Sequence, residues 1–289
     1  MNRTKYQTAL ILEGGGMRCL YTSGVLDCFL DHGIEIKNCY GVSAGAICGM
    51  NYIAKQKGRT YRTVVNYIHD KNYCSIRSLL TTGNLFGVDM LYNQIPNFLD
   101  PFDYDTFAKS DSRLTMVCSD VKSGKPKYHK VKDMRKEITY LQASCSLPMV
   151  SRMVKIDENK YLDGGITDSL PLAKAIDDGN EKSIVILTQY RKYQKKAEGI
   201  FTRIIGRVMY FRYPLLLKAG MERHKVYNKQ LEFVSWQESQ GKVLVLAPDE
   251  PVTIGRTEKN KDKLSDLYLQ GYDDASKRLE EVIKFLQEE

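Results

Sequence analysis

Residues 41–45 read Gly-Val-Ser-Ala-Gly, a serine framed by two glycines. The stretch before them is strand-like and the stretch after them helical. A serine at such a junction can sit on a sharp turn with its hydroxyl held in the open, as the G-x-S-x-G pattern of nucleophilic serines requires. Side chains at positions 41 and 45 would collide with the adjoining strand and helix, and glycine removes that clash. A helix opening at Ala44 would aim its free N–H groups and positive dipole end at the serine. Taken alone, the five residues fit equally well a Ser43 that merely caps a helix N-terminus, a place serine favours.

One strand–helix unit earlier lies Glu-Gly-Gly-Gly-Met-Arg-Cys, residues 13–19. Three adjacent glycines let backbone N–H groups converge on one point, and such a nest at a helix start attracts negative charge. The charge could be a nucleotide phosphate or the oxyanion of an acyl-transfer reaction. A dinucleotide fingerprint through Gly14 and Gly16 needs a third glycine where Cys19 stands, and no Lys-Ser/Thr pair follows for a phosphate loop. The oxyanion reading is therefore the stronger. If the first strands are parallel, this loop and Ser43 emerge at the same edge of the sheet.

A serine nucleophile needs a base. The order Ser43, Asp163, His224 suits a triad. Yet only one strand precedes Ser43, and His224 lies between Arg223 and Lys225, which reads as an exposed basic face. Asp163 begins the run Asp-Gly-Gly after an apolar strand end. It is either a plain turn residue or a carboxylate left uncovered by Gly164 and Gly165 and able to act as base directly.

The elements that must hold these groups can be read from short apolar runs and glycine stops. Residues 8–13, 38–42, 113–120, 126–131, 183–188 and 242–247 read as strands, and 152–165 as a hairpin turning at 157–159. Residues 20–33 and 44–58 read as helices, 60–110 as an inserted cap with helical pieces, and 262–287 as a long amphipathic helix or helix pair. Strand, helix, strand, helix at the start argues for a parallel sheet with right-handed crossovers. A single domain over residues 1–289 is the simplest organisation, with a core over about 8–190 and a C-terminal region over about 191–289.

The 289 residues are 43% hydrophobic and 27% charged, the composition of a water-soluble globular chain. No apolar run approaches the roughly 18 residues a spanning helix needs, and the N-terminal apolar run is too short for a secretory signal. Seven cysteines with no C-x-x-C pair, and four histidines with no ligand spacing, argue for reduced thiols in the cytoplasm and against a metal or other cofactor. The net charge is +8, and residues 191–225 alone hold ten Lys or Arg against two acids. Within that segment Ile200, Ile204, Val208 and Phe211 recur at helical spacing beside Arg203, Arg207 and Arg212. The simpler expectation is a stripe packed on the sheet with a solvated basic face; the other is a helix lying on an anionic membrane. No nucleic-acid motif accompanies the charge, so no nucleic-acid partner is expected. The sequence carries no signal for the oligomeric state.

In this order, Glu-Gly-Gly-Gly-Met-Arg (13–18), Gly-Val-Ser-Ala-Gly (41–45), Ala-Ser-Cys-Ser-Leu-Pro (143–148) and Asp-Gly-Gly (163–165) resemble the patatin-like phospholipases. The resemblance covers roughly residues 8–190. In particular it looks like a bacterial branch whose C-terminal regions are similar to residues 223–234 and 267–275. It implies a three-layer α/β/α fold with a mainly parallel central sheet. It implies a catalytic dyad of Ser43 and Asp163 without histidine, and an oxyanion hole from the backbone of Gly14, Gly15 and Gly16. Arg18 would hold that loop in shape, with Met17, Gly41, Ala44, Gly45, Gly164 and Gly165 in support. The implied activity is hydrolysis of lipid or phospholipid carboxylic esters through an acyl-enzyme. Cys19 departs from the family's usual glycine, and Ser146 from its usual alanine, where an extra hydrogen bond in the wall is expected. Two alternatives stand beside this reading: a non-catalytic lipid-binding or regulatory protein that keeps the fold, and a Ser–Asp–His esterase using His224.

Overall fold

Along the first strand, Leu10 and Leu12 face one hydrophobic core while Ala9 and Ile11 face another. A strand apolar on both sides is one covered by helices on both faces. The computed structural model describes residues 5–287 and shows that arrangement. The opening elements are β1 (Lys5–Leu12), α1 (Cys19–Asp31), β2 (Glu35–Val42) and α2 (Ala44–Ile53). A cap follows, made of α3 (Arg59–Tyr67), α4 (Ile76–Thr82), a wide-turned π-helix (Met90–Leu99) and α5 (Tyr104–Lys109). Pro96 lies inside the π-helix, where its missing N–H and its ring disfavour a regular α-helical ladder. The chain re-enters the sheet as β3 (Arg113–Asp120) and β4 (Pro126–Lys130), then runs through α6 (Met134–Ser144) and the hairpin β5 (Val154–Ile156) and β6 (Asn159–Asp163). After α7 (Leu172–Asp177) and β7 (Ser183–Ile186) come α8 (Ile200–Met209), α9 (Pro214–Ser239), β8 (Val243–Leu246), α10 (Lys261–Lys277) and α11 (Leu279–Gln287).

The sheet has eight strands in the order β5-β6-β3-β2-β1-β7-β8, with β4 also paired to β3. From β3 to β8 along that order the pairings are parallel; β4, β5 and β6 join in antiparallel fashion. The fold is thus a three-layer α/β/α arrangement around a mainly parallel sheet. One helical layer is built largely from α1, α2, α10 and α11, the other from α7 and α9. Among the described residues no helix is long and apolar enough to cross a membrane.

The α1–α10 crossing ties the C-terminal region to the core. Gly24 and Gly271 face each other's helix so closely that a Cβ on Gly24 would stand 2.0 Å from the Tyr268 carbonyl oxygen. One on Gly271 would stand 2.1 Å from that of Tyr21.

Two expectations need correction. The helix after Ser43 ends at Ile53, not at Gly58, because Lys55 takes a left-handed conformation (φ 56°) and Gln56 N–H bonds back to the Asn51 carbonyl. Along α8 the stripe does not pack on the sheet: Ile200, Ile204, Val208 and Phe211 are all exposed, and Gly206 is the helix's buried residue.

Candidate active site

The parallel pairing of β1 with β2, in register at Leu12 and Gly41, sets the glycine loop and Ser43 side by side. Ser43 is the single residue between β2 and α2 and has φ 54°, ψ −127°, a region that costs an L-residue about 1–3 kcal/mol and persists only where the surroundings enforce it. The flanking glycines show how. A Cβ on Gly41 would lie 2.5 Å from Ala46 Cα, and one on Gly45 would lie 2.4 Å from the Leu12 carbonyl oxygen. Ser43 N–H donates to Ser144 Oγ at 2.9 Å, and Ser144 Oγ–H donates to the Val117 carbonyl at 2.7 Å. The elbow is therefore pinned to β3 through one buried hydroxyl. Although Ser43 occupies the N-cap position of α2, its own hydroxyl makes no capping bond, so the serine is not spent on capping.

The glycine loop is held from below by Glu13. Its carboxylate accepts from Tyr227 OH (2.7 Å) and from Thr188 N–H (2.6 Å) and Oγ (3.0 Å). Gly14 lies against the elbow, with the position of a Cβ 3.1 Å from Ser43 Cβ. Gly16 turns at φ 58°, and Met17 N–H donates to the Arg256 carbonyl at 3.2 Å while the Met17 side chain enters the core. Arg18 follows, and among the described residues its Nε is buried with no hydrogen-bond partner.

Asp163 ends β6, which pairs antiparallel with β3. Its Oδ1 accepts from Gly165 N–H at 2.8 Å, closing the turn that follows. Its Oδ2 is buried with no partner. A buried carboxylate oxygen left unpaired is costly, and such exceptions call for an explanation. Ser146, by contrast, donates to the Gln142 carbonyl at 2.8 Å within the end of α6.

Ser43, Asp163, Gly14, Gly15, Gly16 and Gly165 line one cleft of about 440 Å³. A second, apolar cleft of about 940 Å³ meets it at Gly16, Ser43 and Leu147. Its walls come from α2 (Ala44, Ile47, Met50), from the cap (Val64, Leu91, Ile95) and from Leu141. His224 lines neither cleft; its neighbour Arg223 lines the first. Gly41 and Gly164 do not line the cleft but set its walls: a Cβ on Gly164 would lie 2.1 Å from the Val117 carbonyl oxygen.

Sequence reasoning missed several groups of this site. Ser144 stands in the segment 143–148, but nothing local says that it, rather than Ser146, faces the elbow. Glu13 directly precedes the glycines, and its acid was not assigned a role. Lys195, Arg223, Tyr227 and Arg256 also line the cleft, brought in by the C-terminal region. Burial, then Arg223, Arg256 and Arg18, hold the Lys195 ammonium down at about 7. Burial and the adjacent Arg256 likewise lower the Arg223 guanidinium, against the opposite pull of Asp163.

The model of a family described as patatin-like phospholipase matches residues 10–176, and that of a domain of unknown function (DUF6363) matches residues 213–287. The chain is 29% identical over 185 residues to "Uncharacterized protein YjjU" of Escherichia coli (strain K12), covering 62% of this chain and 51% of that protein. It thus spans about half the length of that relative. It is 23% identical over 217 residues to "Probable lipid hydrolase 463L" of Invertebrate iridescent virus 6, covering 67% of this chain and 74% of the other. Among solved structures, VipD from Legionella pneumophila superimposes with a TM-score of 0.47 at 12% identity, over 96% of this chain and 67% of that one.

Proposed function

The chain belongs to the patatin-like phospholipase family, and on that premise we propose that it is a serine acyl hydrolase that cleaves carboxylic esters of lipids or phospholipids. One observation carries the reading. A serine in an enforced, unfavourable backbone conformation, its hydroxyl unused in capping, opens onto the same cleft as a carboxylate with one buried, unpartnered oxygen. Ser43 Oγ attacks the ester carbonyl as its proton passes to Asp163 Oδ2. The oxyanion is held by the backbone N–H groups of Gly14, Gly15 and Gly16, a type of donor whose loss costs about 10²–10³ in rate. The Asp163 proton then leaves with the alcohol as the C–O bond breaks. In the second half, Asp163 takes a proton from water, the hydroxide oxygen attacks the acyl-enzyme, and Ser43 regains its proton as the fatty acid departs. The apolar cleft takes the acyl chain.

The exposed face of α8 gives such an enzyme access to its substrate. Phe201 (80% exposed), Val208 (71%) and Phe211 (73%) stand beside the exposed Arg203, Arg207 and Arg212. That is the pattern of a helix lying in the headgroup region of an anionic bilayer. We place the protein in the cytoplasm, in peripheral contact with the inner face of the membrane; the seven free thiols fit a reducing compartment.

The test is fatty-acid release from a long-chain ester. Ser43→Ala is expected at background, Asp163→Asn reduced by about 10²–10⁴ as for loss of a general base, and His224→Ala unchanged. Loss of activity in His224→Ala would restore the Ser–Asp–His reading. Lipid binding by a folded wild type that hydrolyses no ester would point to the non-catalytic one.

A further inference from the structure

The cleft beside Ser43 holds four cationic side chains that acyl transfer does not use: Arg18, Lys195, Arg223 and Arg256. They come from four separate places in the chain: the end of the glycine loop, the segment after β7, α9, and the segment before α10. Two carboxylates line the same cleft, Glu13 and Asp163. Glu13 is already taken up by Tyr227 and Thr188. Asp163 has one oxygen on Gly165 N–H, and the other is the proposed base. Among the described residues none of the four cations lies within salt-bridge distance of a carboxylate. The Nε atoms of Arg18 and Arg223 are buried without a hydrogen-bond partner.

All four are half-buried, and half-buried cations gathered without salt-bridge partners destabilise a fold. Here they are also held in place. Lys195 Nζ sits 4.7 Å from the centre of the Tyr227 ring and 5.9 Å from that of Tyr193. The Arg256 backbone is anchored through its carbonyl on Met17 N–H. Arg223 Nη2 lies 3.0 Å from where a Cβ on Gly165 would be, so that glycine makes room for it. A set of positioned, unpaired guanidinium and ammonium donors matches the oxygens of a phosphate group, which arginine binds through paired N–H donors. The apolar cleft meets this one at the nucleophile, so an ester on Ser43 would have its hydrocarbon on one side and the cations on the other.

We propose that Arg18, Lys195, Arg223 and Arg256 form a phosphate-binding subsite for the headgroup of the substrate. The preferred lipids are then those whose phosphate carries no compensating cation, such as a phosphatidate, over zwitterionic or neutral ones. The orientation of the ester rests on the acyl-hydrolase reading; the binding of the phosphate does not.

The test is calorimetric titration of the Ser43→Ala protein with short-chain phosphatidate, short-chain phosphatidylcholine and inorganic phosphate, all as monomers. Phosphatidate is expected to bind at least about tenfold tighter than phosphatidylcholine, a difference of about 1.4 kcal/mol. Lys195→Met and Arg256→Gln, each added to that background and checked for folding by circular dichroism, are expected to remove the preference, and Lys195→Arg to keep it. Equal affinities for the two lipids, or a preference that survives both neutral substitutions, would overturn the proposal. Inorganic phosphate binding as tightly as phosphatidate would show a site for free phosphate and overturn the headgroup assignment. A phosphatidate preference in a protein whose wild type hydrolyses no ester would uphold the subsite and sink the hydrolase reading instead.

Discussion

Replacing Ser144 with alanine removes one hydroxyl and two hydrogen bonds, both within the interior. The Ser43 N–H loses its acceptor at 2.9 Å and the Val117 carbonyl loses a donor at 2.7 Å. Ser144 is fully buried, so water does not readily substitute. Leaving one buried donor unsatisfied costs about 1–3 kcal/mol, and we expect a loss of about 2 kcal/mol in the free energy of unfolding. The same bond holds Ser43 in a conformation worth roughly 1–3 kcal/mol of strain. If the freed elbow relaxes by about 2 kcal/mol away from the attacking geometry, the rate falls about 30-fold, at 1.36 kcal/mol per factor of ten. Urea unfolding and turnover of a soluble ester measure the two effects separately. Ser144→Ala with wild-type stability and wild-type kcat would refute the claim that this hydroxyl pins the elbow. Ser146→Ala, which removes a bond to the Gln142 carbonyl at the end of α6, should leave kcat unchanged.

Other outcomes follow from the same structure. Lys195 is held at about 7 by burial first, then by Arg223, Arg256 and Arg18 against the raising effect of Glu13, with the Tyr193 and Tyr227 rings beside it. A bound phosphate favours the protonated form, so the contribution of Lys195 to phosphatidate affinity, read as the ratio of wild type to Lys195→Met, should be full below that pH and fall as pH rises through it, and Lys195→Arg should keep its contribution across the range. Gly24→Ala places a methyl 2.0 Å from the Tyr268 carbonyl oxygen. Overpacking of this kind costs about 2 kcal/mol, or about 4–8 °C in the melting midpoint. Gly220→Ala, which meets nothing within 4 Å, should leave the midpoint unchanged or raise it slightly. Phe201→Glu combined with Ile204→Glu on the exposed face of α8 should abolish sedimentation with anionic vesicles while the melting midpoint stays put.

Much of the frame was legible in the sequence because it is built from short apolar runs bounded by turn residues. Residues 113–120 read as a strand and are one. Residues 157–159 read as the turn of a hairpin, and Asp157 takes the left-handed conformation there. The glycines around Ser43 were readable because a Cβ at either position would stand about 2.5 Å from neighbouring backbone, which only glycine avoids. What periodicity cannot tell is which face of a helix finds a partner. The stripe through Ile200 and Phe211 has the spacing of a packed face and yet stays exposed. Arg223 belongs to a run that reads as solvated, yet from α9 it lines the cleft. Lys195 and Arg256 reach the same place from loops distant in sequence, and no local pattern announces such a meeting. Ser144 is the last residue of α6 and Ser146 lies just beyond it; the packing of that helix on β3 and β6, not the local sequence, decides which hydroxyl meets the elbow.

The most direct test of the account is covalent labelling by a fluorophosphonate, read by intact mass on wild type, Ser43→Ala, Asp163→Asn and His224→Ala. The expected result is one adduct on wild type and on His224→Ala, slow labelling of Asp163→Asn, and none on Ser43→Ala. A folded wild type that takes no label, or a Ser43→Ala protein that labels as wild type does, would contradict the assignment of Ser43 as the nucleophile.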